Sequence, residues 1–165
     1  MTHNAGKLRL LLVVPGIVLL LDRITKWIVQ SRFTLYEQVD VLGSVIRLTY
    51  IHNPGAAFGL YLGPWSRQIF LVLSAVAIAV LTALYWFTPA AERARLLAIA
   101  LICGGALGNF IDRLRSARGV VDFVDVGFGT LRWPVFNVAD MAVTTGAIVL
   151  ALSLWREDRR LERVA

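Results

Sequence analysis

At 165 residues the chain fits one domain, but 58% hydrophobic residues and a mean hydropathy of +0.68 exclude an ordinary water-soluble fold. The formal charge of +6 and pI near 10.2 come without a basic stripe carrying interleaved aromatics, so no nucleic acid is expected and anionic lipid headgroups are the counterpart. The single cysteine, Cys103, excludes an internal disulfide and lies in an apolar run where packing accounts for it.

Lys7 and Arg9 followed by the apolar run 10–21 imitate a cleavable leader, yet no small-residue cleavage site follows. The apolar pattern continues through Ile24, Trp27, Ile28 and Val29, which predicts a first membrane span over residues 8–29, with Pro15 and Gly16 as a point of kinking. Asp22 and Lys26 near its far end form an i,i+4 pair. Two readings stay open for them: an interfacial ion pair with Lys26 reaching outward, or a pair turned toward the other polar residues of the chain.

Residues 31–67 change character. β-Branched and aromatic residues gather around Gly43-Ser44, and 41–42 with 45–51 read as a hairpin closed by a type II′ turn. The hairpin runs into His52-Asn53-Pro54-Gly55-Ala56-Ala57-Phe58-Gly59, whose small residues allow close backbone approach and whose Asn53 offers donors and acceptors. Further spans are predicted over 68–87, 95–114 and 138–155, with Gly104, Gly105 and Gly108 supplying a small-residue packing face on the third. The expected fold is therefore an all-α membrane protein, a single domain over 1–165, with four transmembrane helices and a small extramembrane β-sheet on the outer face. Its outer segments are 31–67 and 115–136. The positive-inside rule, with the basic residues weighted by segment length, places both termini on the cytoplasmic side.

The polar residues of the second half sit where a membrane reading least expects them. Asn109, Asp112 and Arg113 close the third apolar run, Asn137 and Asp140 open the fourth, and Asp122 lies between. Intramembrane polar groups are functional candidates, and two carboxylates in one site suffice to hydrolyse an amide. Spacing alone leaves alternatives. Asn137 three residues before Asp140 is also the signature of a helix N-cap with an acidic third residue, Asp125 competes with Asp122, and Asp112-Arg113 also reads as an interfacial pair. His3 and His52 form no metal motif, no GxSxG elbow exists, and no serine is marked out to partner Lys26, so zinc and serine chemistry are not expected. A transporter would spread its ion pairs across membrane depth or show an internal repeat, and neither is visible.

Taken together, Asp22 with Lys26, Asn53-Pro54-Gly55-Ala56-Ala57-Phe58, GGALGNFIDR at 104–113, VVDF at 120–123 and FNVAD at 136–140 resemble, in order and over the whole chain, lipoprotein signal peptidase, the signal peptidase II family. Gly59 departs from the family pattern, which often has serine there. The resemblance implies a bacterial intramembrane aspartyl endopeptidase that removes signal peptides from lipid-modified prolipoproteins before the diacylglyceryl-cysteine. It implies Asp122 and Asp140 as the catalytic pair, with Asp22, Lys26, Asn53, Gly55, Asn109, Arg113 and Asn137 binding substrate or supporting the pair. It implies no metal or other cofactor, membrane phospholipid and prolipoprotein as partners, a monomer, and an inner-membrane location with the site near the periplasmic face. On this reading Asp22 and Lys26 lie near the rim of the pocket, and the hairpin with its Asn53-to-Phe58 turn and the loop 116–130 form a mobile clamp over it.

Overall fold

The computed structural model describes residues 2–55 and 62–162. In chain order the elements are α1 (Thr2–Arg32), β1 (Gln38–Leu42), β2 (Ile46–Asn53), α2 (Ser66–Phe87), α3 (Arg93–Arg115), β3 (Val120–Phe128), β4 (Leu131–Arg132) and α4 (Val138–Glu162). Ala56, Ala57, Phe58 and Gly59 of the asparagine turn lie outside the described residues.

Helix α3 is the centre of the bundle and packs against α1, α2 and α4. Its small residues permit this. A side chain added at Gly104 would meet Pro15 and Val18 of α1, one at Gly105 would meet the Ala139 carbonyl and Val143 of α4, and one at Gly108 would meet Asp22 and Ala139. Around this close approach an apolar cluster forms from Leu96, Ile99, Ala100 and Cys103 of α3 with Tyr85 of α2, flanked by Leu10, Leu11 and Val14 of α1 and Leu150 of α4. Cys103 is thus a packing residue, as its apolar setting suggested. At the opposite end from the sheet, the Lys7 ammonium donates to the carbonyls of Trp86 and Thr88 at 2.9 and 2.8 Å, closing the C-terminus of α2, while the Tyr85 hydroxyl donates to the Lys7 carbonyl at 2.7 Å.

Three helices, α2, α3 and the described part of α4, are long and apolar enough to cross a membrane. Only 11% of the apolar window of α2 is buried, so Val72, Leu73, Val76 and Val80 face outward as lipid-facing residues do. α1 is not among these three. It is 31 residues long and runs unbroken through Pro15, but Lys7 and Arg9 on one side and Asp22, Arg23 and Lys26 on the other confine its longest uncharged stretch to 10–21. The helices run past the predicted spans: α1 extends beyond 8–29 at both ends and α4 runs on to Glu162, because polar helix ends continue the backbone ladder beyond the apolar core.

The predicted hairpin is present. β1 and β2 pair antiparallel, the Val45 amide donates to the Leu42 carbonyl at 3.2 Å, and Gly43 takes the positive φ of 50° that a type II′ turn places at its first central residue. The segment predicted as outer, 115–136, supplies two strands. β3 pairs with β2 from Ile46↔Val126 to Asn53↔Val120, and β4 pairs with β3, giving a four-stranded antiparallel sheet in the order β1-β2-β3-β4. The hairpin and residues 120–128 are hydrogen-bonded neighbours in one sheet, because VVDFVDV is a β-branched run that answers the unpaired edge of β2. Val121 and Phe123 pack with Tyr50 and with Val29 of α1, seating the sheet on the helix ends.

Gly105→Val is expected to lower the thermal unfolding temperature in detergent, by an overpacking cost of about 1–3 kcal/mol or more, since the obstruction is the α4 backbone. Gly16→Ala, where nothing lies within 4 Å, is expected to be neutral or slightly stabilising in the same melt.

Candidate active site

The site is assembled where α4 begins. Asn137 caps the helix: its side-chain oxygen accepts from the Asp140 amide at 3.0 Å, and the Asp140 carboxylate accepts in return from the Asn137 amide at 3.1 Å. This is a capping box with aspartate at the third helical position. The N-cap reading of the Asn137 to Asp140 spacing is therefore physically present. It does not exhaust the residues, because the remaining donors of Asn137 face elsewhere. Its amide nitrogen donates to Asp122 Oδ1 at 2.7 Å and to the Val121 carbonyl at 3.3 Å. One asparagine, itself 0% exposed, thus joins the two carboxylates.

Asp122 comes from β3, 2% exposed between Val121 and Phe123. Its second oxygen accepts from Asn53 at 3.0 Å. Asn53 ends β2 opposite Val120, so the strand pairing is what carries it to Asp122. Gly119, at φ 91°, passes so close to the Asn53 carbonyl that any Cβ would strike it. Asp140 completes its set by accepting from Asn109 of α3 at 2.8 Å.

The orientation of all three amides is decided by donor-only neighbours. Asn53 has its oxygen on the Gly55 N–H at 2.9 Å, Asn137 on the Asp140 N–H, and Asn109 on the Lys26 ammonium at 3.1 Å. Each must then present its NH₂ to a carboxylate. Lys26 is fully buried and makes ion contacts at 2.8 Å with both Asp22 and Asp112, the latter out of line for a hydrogen bond. Asp22 in turn accepts from the Ala139 amide at 3.0 Å, satisfying a further N–H of the first turn of α4. Arg113 works on backbone rather than carboxylate, donating to the carbonyls of Gly55 at 2.8 Å and Asn109 at 3.2 Å. It ties the asparagine turn to the end of α3.

Burial, and then the neighbouring charge of Asp140, push the Asp122 carboxyl up to about 7, and the amides of Asn53 and Asn137 oppose the rise. Two carboxylates so placed hold one proton between them near neutral pH and titrate as a pair. Such a pair can take a proton from water with one member while the other donates a hydrogen bond to a carbonyl.

All nine sequence-derived site residues are described, and Asp122, Asp140, Asn53, Gly55, Asn109, Arg113 and Asn137 meet around the two carboxylates through the contacts above. Asp22 and Lys26 are not at a rim. They lie buried among α1, α3 and α4, because a lysine with carboxylates on two helices loses any reason to reach outward. Asp125 belongs to a separate ion pair in the sheet, accepting from Arg132 at 2.6 Å and Thr49 at 2.9 Å. Asp112, for which an interfacial pairing with Arg113 was one open reading and which is absent from the nine site residues, joins the network through Lys26. Its position three after Asn109, on the face of α3 that also carries Gly105 and Gly108, was the available signal. Among the described residues no cluster of His, Cys, Asp and Glu is placed to hold a metal ion.

The model of the family described as Signal peptidase (SPase) II matches residues 14–156. The lipoprotein signal peptidase of Moorella thermoacetica is 41% identical over 87% of this chain and 91% of its own length, and that of Halothermothrix orenii 40% identical over 89% and 96%. Among solved structures, one described as "Bacterial membrane enzyme structure by the in meso method at 2.3 A resolution" superposes with a TM-score of 0.80 at 29% identity, covering 90% of this chain and 88% of that one. A second of the same description, at 1.9 Å, gives 0.74 at 29% identity over 87% and 91%. The apolar helices and these likenesses make the chain an aspartic protease of a bacterial membrane. It belongs to the signal peptidase II family.

The raised Asp122 carboxyl has a consequence for stability. Its folded value near 7 stands above the ordinary 3.8, so the folded protein binds the extra proton between these limits, and this stabilising contribution is full below the lower value and lost as pH rises through the upper. The unfolding temperature of the wild type is expected to fall between about pH 5 and 8 more steeply than that of Asp122→Asn, measured by melting in detergent across that range.

Proposed function

We propose that the chain removes the signal peptide from lipid-modified bacterial prolipoproteins, cutting before the diacylglyceryl-cysteine, with Asp122 and Asp140 as the catalytic pair. The observation that carries this is the bridge of Asn137 between two carboxylates, the buried Asp122 and the half-buried Asp140, each held by a further asparagine. The relatives' name, lipoprotein signal peptidase, supplies the substrate class.

In the proposed reaction the ionised member takes a proton from water as the water oxygen bonds to the scissile carbonyl carbon, and the protonated member donates to the carbonyl oxygen. The tetrahedral intermediate collapses as its hydroxyl returns the proton to the carboxylate that gave it and the oxygen's electron pair re-forms the carbonyl. The C–N bond breaks, the amine leaves with a proton from the pair, and the pair returns to sharing one proton. Asn53, Asn109 and Asn137 hold the two carboxylates at fixed positions, and Arg113 anchors the turn after Asn53 that flanks the site. No cofactor enters these steps.

We infer that α1 is a fourth span. Its Lys7 end is bonded to the end of α2, its Asp22 end to the start of α4, and α3 runs between, so all four helices share one length of bilayer. Both termini then lie in the cytoplasm, and the sheet and carboxylates lie at the outer face of the inner membrane. There water reaches the carboxylates while the substrate's acyl chains stay among the outward-facing residues of the helices. The protein works as a monomer on this reading, since every residue of the site comes from one chain.

Cleavage of a diacylglyceryl prolipoprotein by purified protein tests the reading. Asp122→Asn and Asp140→Asn are each expected to lose about 10²–10⁴-fold or more in turnover while remaining folded, with Asp125→Asn retaining most activity. Turnover of the wild type is expected to decline as pH rises above about 7, where the shared proton is lost. Robust cleavage by either of the first two variants would refute the assignment, and cleavage of the unlipidated precursor at the same rate would refute the substrate.

A further inference from the structure

At the end of the bundle away from the carboxylates, a cavity of about 550 Å³ opens between the start of α1 and the turn joining α2 to α3. Its size falls among ordinary ligand sites, which run from about 300 to 1,000 Å³. Gly6, Lys7 and Leu10 line one side, and Arg93, Leu96 and Leu97 the other.

The charges here are unbalanced. Lys7 is 7% exposed, and its ammonium is met by two carbonyl oxygens and the rings of Tyr85 and Trp86, with no carboxylate within ion-pair distance among the described residues. Carbonyl dipoles solvate such a cation without neutralising it. Arg93 is exposed and likewise has no carboxylate partner among the described residues, since the adjacent Glu92 is held by Arg95 at 2.8 Å and Glu157 also turns to Arg95. The first turn of α3 carries no acidic residue and Glu92 gives it no side-chain cap, so the positive end of the helix adds to the same field. The leucines make the remaining wall apolar, and the apolar lengths of α2 and α3 end at this level, which is headgroup depth in a bilayer.

We propose that this cavity binds the headgroup of an anionic phospholipid, its phosphate between Lys7 and Arg93 and its glycerol and upper chains against Leu10, Leu96 and Leu97. The proposal rests on the chain being embedded in a membrane and is independent of the assignment of the catalytic pair. A zwitterionic lipid brings its own cation to the site and so gains less from these two charges.

The test is native mass spectrometry of the full chain in detergent, titrated with phosphatidylglycerol or with phosphatidylcholine of identical chains, alongside melting curves with each lipid and with inorganic phosphate. One phosphatidylglycerol per chain is expected to bind preferentially and to raise the melting temperature. Arg93→Gln, at an exposed position that leaves the α2 cap intact, is expected to weaken that binding about fivefold, the worth of one cation near a membrane surface. Arg159→Gln, on the exposed far part of α4, serves as the control and should bind as the wild type does. Equal retention of the two lipids, equal loss in both variants, unchanged binding by Arg93→Gln, or full stabilisation by inorganic phosphate alone would each overturn the proposal.

Discussion

A buried lysine ammonium has to be neutralised, and in this protein the way Lys26 is neutralised arranges everything above it. Its carboxylate partners come from its own helix and from α3, and the amide oxygen of Asn109 completes its surroundings. Because the ammonium can only donate, Asn109 has no choice of orientation and must turn its NH₂ toward Asp140. Asp22, held by the same ammonium, spends its other oxygen on the Ala139 amide at the start of α4. Three helices are thus registered against one another by a single charge, at the depth where α4 must begin for Asp140 to meet Asn109. The glycines of α3 are the steric side of the same constraint, since Gly108 leaves the space in which Asp22 sits.

Above this network the capping of α4 and the pairing of the two carboxylates are one arrangement. A helix N-terminus needs acceptors for its free amides, and a carboxylate pair needs donors that hold it without neutralising it. Asn137 and Asp140 answer both needs: the box bonds cap the helix, and the leftover NH₂ of Asn137 reaches Asp122. Asparagine suits this place better than a cation would. A lysine there would pull the carboxyls down to permanent ionisation, whereas amides allow burial and mutual repulsion to raise Asp122. The sheet contributes by geometry, as β3 brings Asp122 and β2 brings Asn53 through neighbouring strand positions.

Much of this was legible in the chain before any coordinates. The apolar helices announced themselves through run length, the hairpin through Gly43-Ser44 between β-branched residues, and the polar residues at the ends of α3 and α4 through their expense in a membrane setting. What misled was local character read without its partner. Residues 115–136 contain turn formers and looked like a covering loop, yet VVDFVDV finds the open edge of β2 and becomes the inner strand β3. Asp112 admitted an interfacial pairing because its sequence neighbour is Arg113, although its ionic partner Lys26 is on another helix.

The sequence by itself determined the membrane character, the existence of the helices and the set of polar residues worth attention, because each of these depends on hydropathy or on spacing within a few residues. Only the tertiary structure decided that Asp22 and Lys26 lie buried between helices rather than at a rim, that Asp125 is spoken for by Arg132, and that Asn53 stands next to Asp122. Those outcomes depend on which strands pair and how deeply helices seat against one another. Such choices are made by edges, glycine gaps and buried charges that meet across long separations in the chain, where no local pattern records them.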